Sequence, residues 1–184
     1  DASSAPLGAD ALIYHPYLNS TGVVSPIVHP AARGTLFGLT FNHTREHVVR
    51  AIFEGTAMAI HDCYQHLDLP VSEVILSGGG ARNQFWSQMI ADVTGKTIVV
   101  PEGEEFGARG ACIVAALGVG LVERASEAVQ RMVREQRRHS PDFAKHELYQ
   151  ETYALYRHLY GQFTDLWWER HRLQTTLEAK RPGT

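Results

Sequence analysis

The chain has 184 residues, of which 44% are hydrophobic and 20% are charged, and its formal net charge is −3. This composition is typical of a soluble globular protein of about one domain, with two small lobes the less favoured arrangement. It excludes a strongly basic nucleic-acid-binding surface, and the absence of any run of 18 apolar residues excludes a membrane span. Cys63 and Cys112 lie far apart in apolar helical patterns, which predicts buried, reduced thiols in a cytoplasmic protein rather than a disulfide framework.

The first part of the chain predicts two strands and one long helix. Short apolar runs at residues 11–18 (ALIYHPYL) and 35–41 (TLFGLTF) indicate strands, and a loop rich in Ser, Gly and Pro separates them. Thr44 is a suitable N-cap for a helix that runs to about residue 67. The apolar residues of this helix recur at helical spacing: Val48, Ala51, Ile52, Met58, Ala59 and Cys63.

Strands and helices alternate in the second part of the chain. Residues 72–77 (SEVILS) and 96–101 (KTIVVP) indicate strands, and the helix between them ends at Gly95, a typical C-cap residue. A helix rich in small residues follows at 105–120, and a further helix is predicted over 124–137. The order of elements predicts an α/β fold.

The last predicted helix, from about residue 144 to 178, carries aromatic residues at alternating steps of four and three. These residues are Tyr149, Tyr153, Tyr156, Tyr160, Phe163 and Trp167. Such a stripe is typical of core packing, and the alternative is an interface with a partner.

Four arginines lie close together near residue 134. Arg131, Arg134, Arg137 and Arg138 are interrupted by Glu135. We expect them on a solvated helix face rather than in a phosphate-binding patch.

Three consecutive glycines, Gly78, Gly79 and Gly80, stand between a predicted strand and a predicted helix. Glycine lets a ligand approach bare backbone, and the free N–H groups at a helix start attract anions. The sequence is not the GxxxxGK[ST] loop, and it is not GxGxxG because Asn83 occupies the third glycine position. On the residues alone, a tight turn and a ligand contact remain equal alternatives.

Three segments, in the expected order, resemble the C-terminal domain of the FGGY family of carbohydrate kinases. They are GTLFGLTFNHTREHVVRAIFE (34–54), SGGGARNQFWSQMIADVTGKTIVVPE (77–102) and EEFGARGACIVAALGVG (104–120). The resemblance to the xylulokinase and L-xylulose kinase branch implies the actin, Hsp70 and sugar-kinase fold. The whole chain, 1–184, would then be one ribonuclease H-like domain with a mixed sheet flanked by helices and a long C-terminal helix.

The same resemblance implies a nucleotide site. Gly78, Gly79 and Gly80 would lie beneath the adenosine and phosphates of ATP, bound with Mg²⁺. The side chain of Asn83 would face the adenine, cap the following helix, or do both. Structural roles are expected for the acidic residues and histidines, so no catalytic or metal-ligating residue is predicted in the chain.

The resemblance also implies partners. The catalytic aspartate and the sugar-binding residues belong to the family's N-terminal domain, so the chain is expected to need that domain, to begin partway into its own domain, and to be inactive alone. Residues 19–26 (NSTGVVSP) stand where relatives often carry a G-E-R-x-P stretch, which points away from a close glycerol kinase match and towards a pentulose or polyol substrate. A homodimer is a further expectation. The alternatives are a non-catalytic nucleotide- or protein-binding module with the aromatic helix as its contact face, and a Rossmann-type dinucleotide domain, disfavoured by the missing third glycine.

Overall fold

The structure, a computed structural model, describes residues 2–18 and 29–181. Its contacts divide the chain into two compact units, Asp1–Leu69 with Phe143–Thr184, and Pro70–Asp142. Each unit has its own sheet, while the prediction that residues 1–184 form one family domain stays a prediction. Within the described ranges, no helix combines the length and the apolar character needed to cross a membrane.

The first unit contains a two-stranded antiparallel sheet and two long helices. The elements are β1 (Ile13–His15), β2 (Thr35–Phe37), α1 (Arg45–Gln65) and α5 (Phe143–Ala179). β1 and β2 pair with Tyr14 opposite Leu36. Both strands are shorter than their apolar runs, since Pro16 follows β1 directly and Gly38, with φ +91°, follows β2.

The core of the first unit lies between β1 and the aromatic face of α5. Tyr156 and Trp167 are buried, and the hydroxyls of Tyr17 and Tyr156 are 3.0 Å apart. Tyr17, Tyr160 and Trp167 form one cluster with the half-buried Phe163 packed against it. The prediction that the aromatic stripe packs in a core is therefore confirmed.

Helix α1 begins after Thr44, as predicted, and the N–H of Thr44 donates to Nδ1 of His47 (3.2 Å). Its buried face differs from the predicted one. Ala51 and Met58 are buried, but Ile52 is 41% exposed. The buried face instead includes Glu54, so the apolar periodicity located this face only in part.

A buried polar network in the first unit holds a left-handed turn at Gly8–Ala11. The φ angles of these four residues lie between 46° and 77°, and each non-glycine residue there costs roughly 1–2 kcal/mol. A carboxylate oxygen of Glu54 accepts hydrogen bonds from the N–H of Gly8 (3.0 Å), Nε of Arg50 (2.7 Å) and the hydroxyl of Tyr149 (3.0 Å). These contacts offset the strain of the turn.

The second unit contains a three-stranded mixed sheet in the order β3–β4–β5. Its elements are β3 (Glu73–Ile75), α2 (Gln84–Thr94), β4 (Thr97–Pro101), α3 (Phe106–Gly118), α4 (Ala125–Met132) and β5 (Glu135–His139). β3 and β4 are parallel, whereas β5 is antiparallel to β4. Gly95 caps α2 in the left-handed conformation, as predicted. The predicted α/β fold with a mixed sheet and a long C-terminal helix is confirmed.

The prediction of one helix over residues 124–137 is wrong in its second half. The helix ends at Met132, and strand β5 begins at Glu135. Arg137 and Arg138 therefore lie on a strand rather than on a solvated helix face. The segment EQRRH has no apolar residue, so only its pairing with β4 makes it a strand.

The cysteines and helix α3 are more exposed than their apolar sequence surroundings suggest. Both thiols are free, but Cys112 is exposed and Cys63 is only half-buried, so the prediction of buried cysteines is wrong. None of the residues of α3 is buried, although the helix is rich in small and apolar side chains. A side chain at Gly107 or Gly110 would contact no described atom within 4 Å.

Candidate functional site

A cleft of about 480 Å³ lies in the second unit, next to the three glycines. β3 and β4 are parallel, so their carboxyl ends meet at one edge of the sheet, where α/β proteins bind ligands. Its walls include Gly78, Gly79 and Ala81 after β3, and Val100, Pro101 and Glu104 at and after the end of β4. Gln136 and Arg137 complete the wall because the amino end of β5 lies opposite the carboxyl end of β4. The volume lies within the roughly 300–1,000 Å³ of small-molecule sites.

The glycines at 78 to 80, hereafter the glycine turn, do not share one structural reason for being glycine. Gly78 has φ +86°, a conformation that other residues adopt at a cost. A side chain on Gly80 would press against the ring of Trp86. Gly79 has neither constraint, since no described atom lies within 4 Å of a Cβ built there. Gly79 therefore leaves open space beside the cleft.

Two of the three predicted glycines line the cleft. Gly78 and Gly79 belong to its wall, whereas Gly80 and Asn83 do not. The side chain of Asn83 accepts a hydrogen bond from the N–H of Trp86 (3.2 Å), so it caps α2 as one of its two interpretations predicted. Its contact with adenine stays a prediction.

The two arginines of the cleft wall differ in their exposure and in their partners. Arg82 forms an ion pair with Glu104 (3.0 Å) while both side chains stay about two thirds exposed. Arg137 is half-buried, and its Nη2 donates to the carbonyl of Ala81 (2.7 Å). Burial and the charge of Arg137 lower the pKa of His139 on the same strand.

The cleft does not offer the ligands of a magnesium ion. Mg²⁺ prefers several oxygen ligands, but Glu104 is the one carboxylate among the described residues of the cleft wall, and Arg82 binds it. No described group of three or more His, Cys, Asp or Glu side chains is placed to hold a metal.

Two buried aspartates outside the cleft wall have the structural roles expected of the acidic residues. Asp62 is buried and pairs with Arg157 (2.9 Å). Asp92 is buried, and it accepts hydrogen bonds from Gln88 (2.8 Å) and from the N–H of Asp142 (2.9 Å). Both carboxylates thus stabilise their own unit.

The sequence did not identify Gln136 and Arg137 as residues of the site. Their segment was assigned to a helix, so its pairing with β4 could not be anticipated. The cluster of arginines near residue 134 was the sequence feature that could have identified them.

Residues 19–26, on which the prediction about the substrate depends, lie outside the described residues.

Comparison with known proteins identifies the family. Residues 1–119 match the C-terminal domain of the FGGY family of carbohydrate kinases, and the chain belongs to this family. The gluconokinase of Bacillus licheniformis is 32% identical over 178 residues, which cover 95% of this chain and 34% of that protein. The xylulose kinase of Bacillus subtilis is 34% identical over 164 residues, which cover 88% of this chain and 32% of that protein.

Solved structures agree with the fold. The xylulose kinase of Rhodospirillum rubrum has a TM-score of 0.78 at 32% identity, covering 90% of this chain and 33% of that one. A ligand-bound xylulose kinase from Lactobacillus acidophilus has a TM-score of 0.79 at 27% identity, covering 88% and 33%. The chain spans about a quarter to a third of the length of the curated relatives. The predicted family and its fold are confirmed.

Proposed function

We propose that this chain is the nucleotide-binding part of an ATP-dependent carbohydrate kinase, which transfers the γ-phosphoryl group of ATP to a hydroxyl of a sugar or polyol. One observation carries the proposal: in a chain of the FGGY family, the glycine turn borders a cleft at the carboxyl edge of a parallel strand pair. The open space at Gly79 supports it, because a nucleotide lying there would exclude any side chain at that position.

The chain would supply binding and orientation rather than proton transfer. Phosphoryl transfer depends on positioning and charge stabilisation, with an aspartate as the usual base for the attacking hydroxyl. Asp62 and Asp92 are buried in structural pairs, which leaves no described aspartate for that role beside the cleft. We therefore assign the base and the sugar site to an N-terminal domain acting with this chain.

The cleft is not assigned a magnesium site of its own. Mg²⁺ would arrive with the nucleotide, held by the phosphate oxygens and by carboxylates outside this cleft. The wall residues would contact the nucleoside and the phosphates.

Pentuloses and polyols are the proposed acceptors. The relatives' names include xylulose kinase and erythritol kinase, which agree with this class, and gluconokinase, which adds a sugar acid. We assign the residues that would choose among them to the N-terminal domain, together with the sugar site.

Calorimetric titration of MgADP into the purified chain tests the proposal. Gly79→Val fills the open space and is expected to abolish saturable binding while leaving the unfolding midpoint near that of the wild type. Asn83→Ser keeps an oxygen that caps α2, whereas Asn83→Ala removes the cap at about 1 kcal/mol of stability. An adenine contact predicts that both Asn83 variants weaken binding. If Gly79→Val binds MgADP as well as the wild type does, the proposal that the nucleotide lies against the glycine turn is wrong.

The alternative of a non-catalytic protein-binding module depended on the aromatic face of the last helix. Tyr156, Tyr160 and Trp167 are buried within their own unit, so the core of that unit already occupies most of this face. A phosphoryl-transfer assay with ATP and a pentulose on the isolated chain completes the test. Turnover above that of a heat-treated sample would contradict the assignment of the base to another domain.

A further inference from the structure

Arg137 is a charged residue of the cleft wall for which the fold alone does not account. Its Nη2 donates to the carbonyl of Ala81, and its Nε is buried without a hydrogen-bond partner among the described residues. No carboxylate of the described residues forms an ion pair with it. A guanidinium has five N–H donors, so the described protein groups take up only a small part of its hydrogen-bonding capacity.

The other arginine of the wall differs in this respect. Arg82 is paired with Glu104 and is 69% exposed, so solvent and a carboxylate already satisfy its charge. Arg137 is half-buried, and its charge helps to lower the pKa of His139. A partly desolvated cation beside a cleft attracts an anionic ligand more strongly than an exposed and paired one.

The backbone around Arg137 fixes the position of its side chain. Arg137 lies opposite Val100 in the β4–β5 ladder, and Val100 is itself part of the cleft wall. The neighbouring Arg138 is not part of the cleft wall, as expected where side chains alternate between the two faces of a strand. Arg138 instead pairs with Glu73 (2.5 Å) and Glu135 (2.7 Å).

The start of α2 adds to the positive character of this region. Gln84, the first residue of α2, lines the cleft, and helix amino ends carry a partial positive charge that favours phosphate. The guanidinium fork matches the geometry of phosphate oxygens. Arg137, the glycine turn and the start of α2 thus surround the same space.

We infer that Arg137 binds a phosphate group of the nucleotide in this cleft and, through the carbonyl of Ala81, keeps the glycine turn next to it. The inference rests on the proposed function, because it assigns a role within the same site. It makes Arg137 a ligand-contacting residue, and not only a support of the turn.

A comparison of ADP, pyrophosphate and adenosine separates these two roles. Calorimetry is carried out on the wild type, Arg137→Gln and Arg137→Lys, with Arg138→Gln as the matched control on the opposite face. A lost hydrogen bond to a charged group predicts a roughly tenfold or greater loss of ADP and pyrophosphate affinity in Arg137→Gln. Adenosine affinity is expected to fall clearly less than ADP affinity, since adenosine has no phosphate and loses only the support that Arg137 gives to the turn.

Arg137→Lys keeps the charge but not the planar fork, so its ADP affinity is expected between those of the wild type and Arg137→Gln. It also replaces Arg137→Gln if that variant fails to fold, as judged by circular dichroism. The ratio of ADP to adenosine affinity in Arg137→Lys must then fall below the wild-type ratio. Arg138→Gln is expected to bind all three ligands as the wild type does.

Three results would overturn the inference. An equal loss of ADP and adenosine affinity would mean that Arg137 only supports the turn. Unchanged affinities in both Arg137 variants would remove it from the site. If the wild-type chain binds none of the three ligands, the proposed function itself fails, and the role of Arg137 fails with it.

Discussion

His15 provides a direct test of how the first unit is packed. Its side chain is fully buried at the end of β1, with Nδ1 2.8 Å from the hydroxyl of Thr35 and Nε2 3.0 Å from the carbonyl of Tyr156. The carbonyl can only accept, so Nε2 carries the hydrogen and Nδ1 accepts from Thr35. The imidazole stacks on the ring of Tyr156 with a centroid distance of 4.3 Å. This geometry suits the neutral form.

Burial lowers the pKa of His15 from 6.5 to about 4, against the opposing effect of the hydrogen bond to the backbone of Tyr156. Between these two values the unfolded chain binds a proton at this position and the folded chain does not. Stability therefore rises with pH across this window and is lost as the pH falls from 6.5 towards 4. Across the full window, the free energy of unfolding falls by about 3 kcal/mol because of His15. Acidification from pH 7 to pH 5 lowers it by about 2 kcal/mol.

Urea unfolding followed by circular dichroism, at half-unit steps from pH 7.5 to pH 5, measures this dependence. His15→Gln removes the titrating group. Between pH 7 and pH 5 the wild type is therefore expected to lose about 2 kcal/mol more of its free energy of unfolding than this variant loses. His158→Gln, at an exposed position of α5, is the control and is expected to follow the wild type. Parallel profiles for the wild type and His15→Gln would refute the reasoning.

Three further predictions concern packing in the first unit. A methyl group at Gly55 would collide with the backbone carbonyl of Tyr14, so Gly55→Ala is expected to lower the free energy of unfolding by about 1–3 kcal/mol. Gly161 lies on α5 with open space around it, so Gly161→Ala is expected to raise the free energy of unfolding by up to about 1 kcal/mol. A lower free energy of unfolding in Gly161→Ala would contradict the open space at this position of α5. Trp167 is 3% exposed, whereas Trp168 is 41% exposed. Trp167→Ala is therefore expected to lower the free energy of unfolding by about 3–5 kcal/mol, and Trp168→Ala by much less. Equal urea midpoints for the two variants would show that the aromatic stripe is not part of a core.

Local patterns were sufficient for most of the elements. The Thr44 N-cap and the Gly95 C-cap were located because capping depends on a few neighbouring residues. The aromatic stripe of α5 was recognised because helical periodicity persists over many turns. The glycine turn was identified as a candidate site from its place between a strand and a helix.

Features that depend on distant residues were not predictable in this way. β5 is a strand only because its polar backbone pairs with β4, and this pairing brings Arg137 to the cleft. The buried position of Glu54 is set by partners 46 and 95 residues away. No local pattern signals such a burial.

The sequence by itself determined the family and the order of most helices and strands, and it predicted a nucleotide site at the glycine turn. Periodicity and turn chemistry are properties of neighbouring residues, so they can be read along the chain. The tertiary structure alone decided the left-handed turn at Gly8–Ala11, the strand at Glu135–His139 and the position of Arg137 beside Ala81. Each of these is stabilised by hydrogen bonds between residues far apart in the chain, which form only when the chain folds.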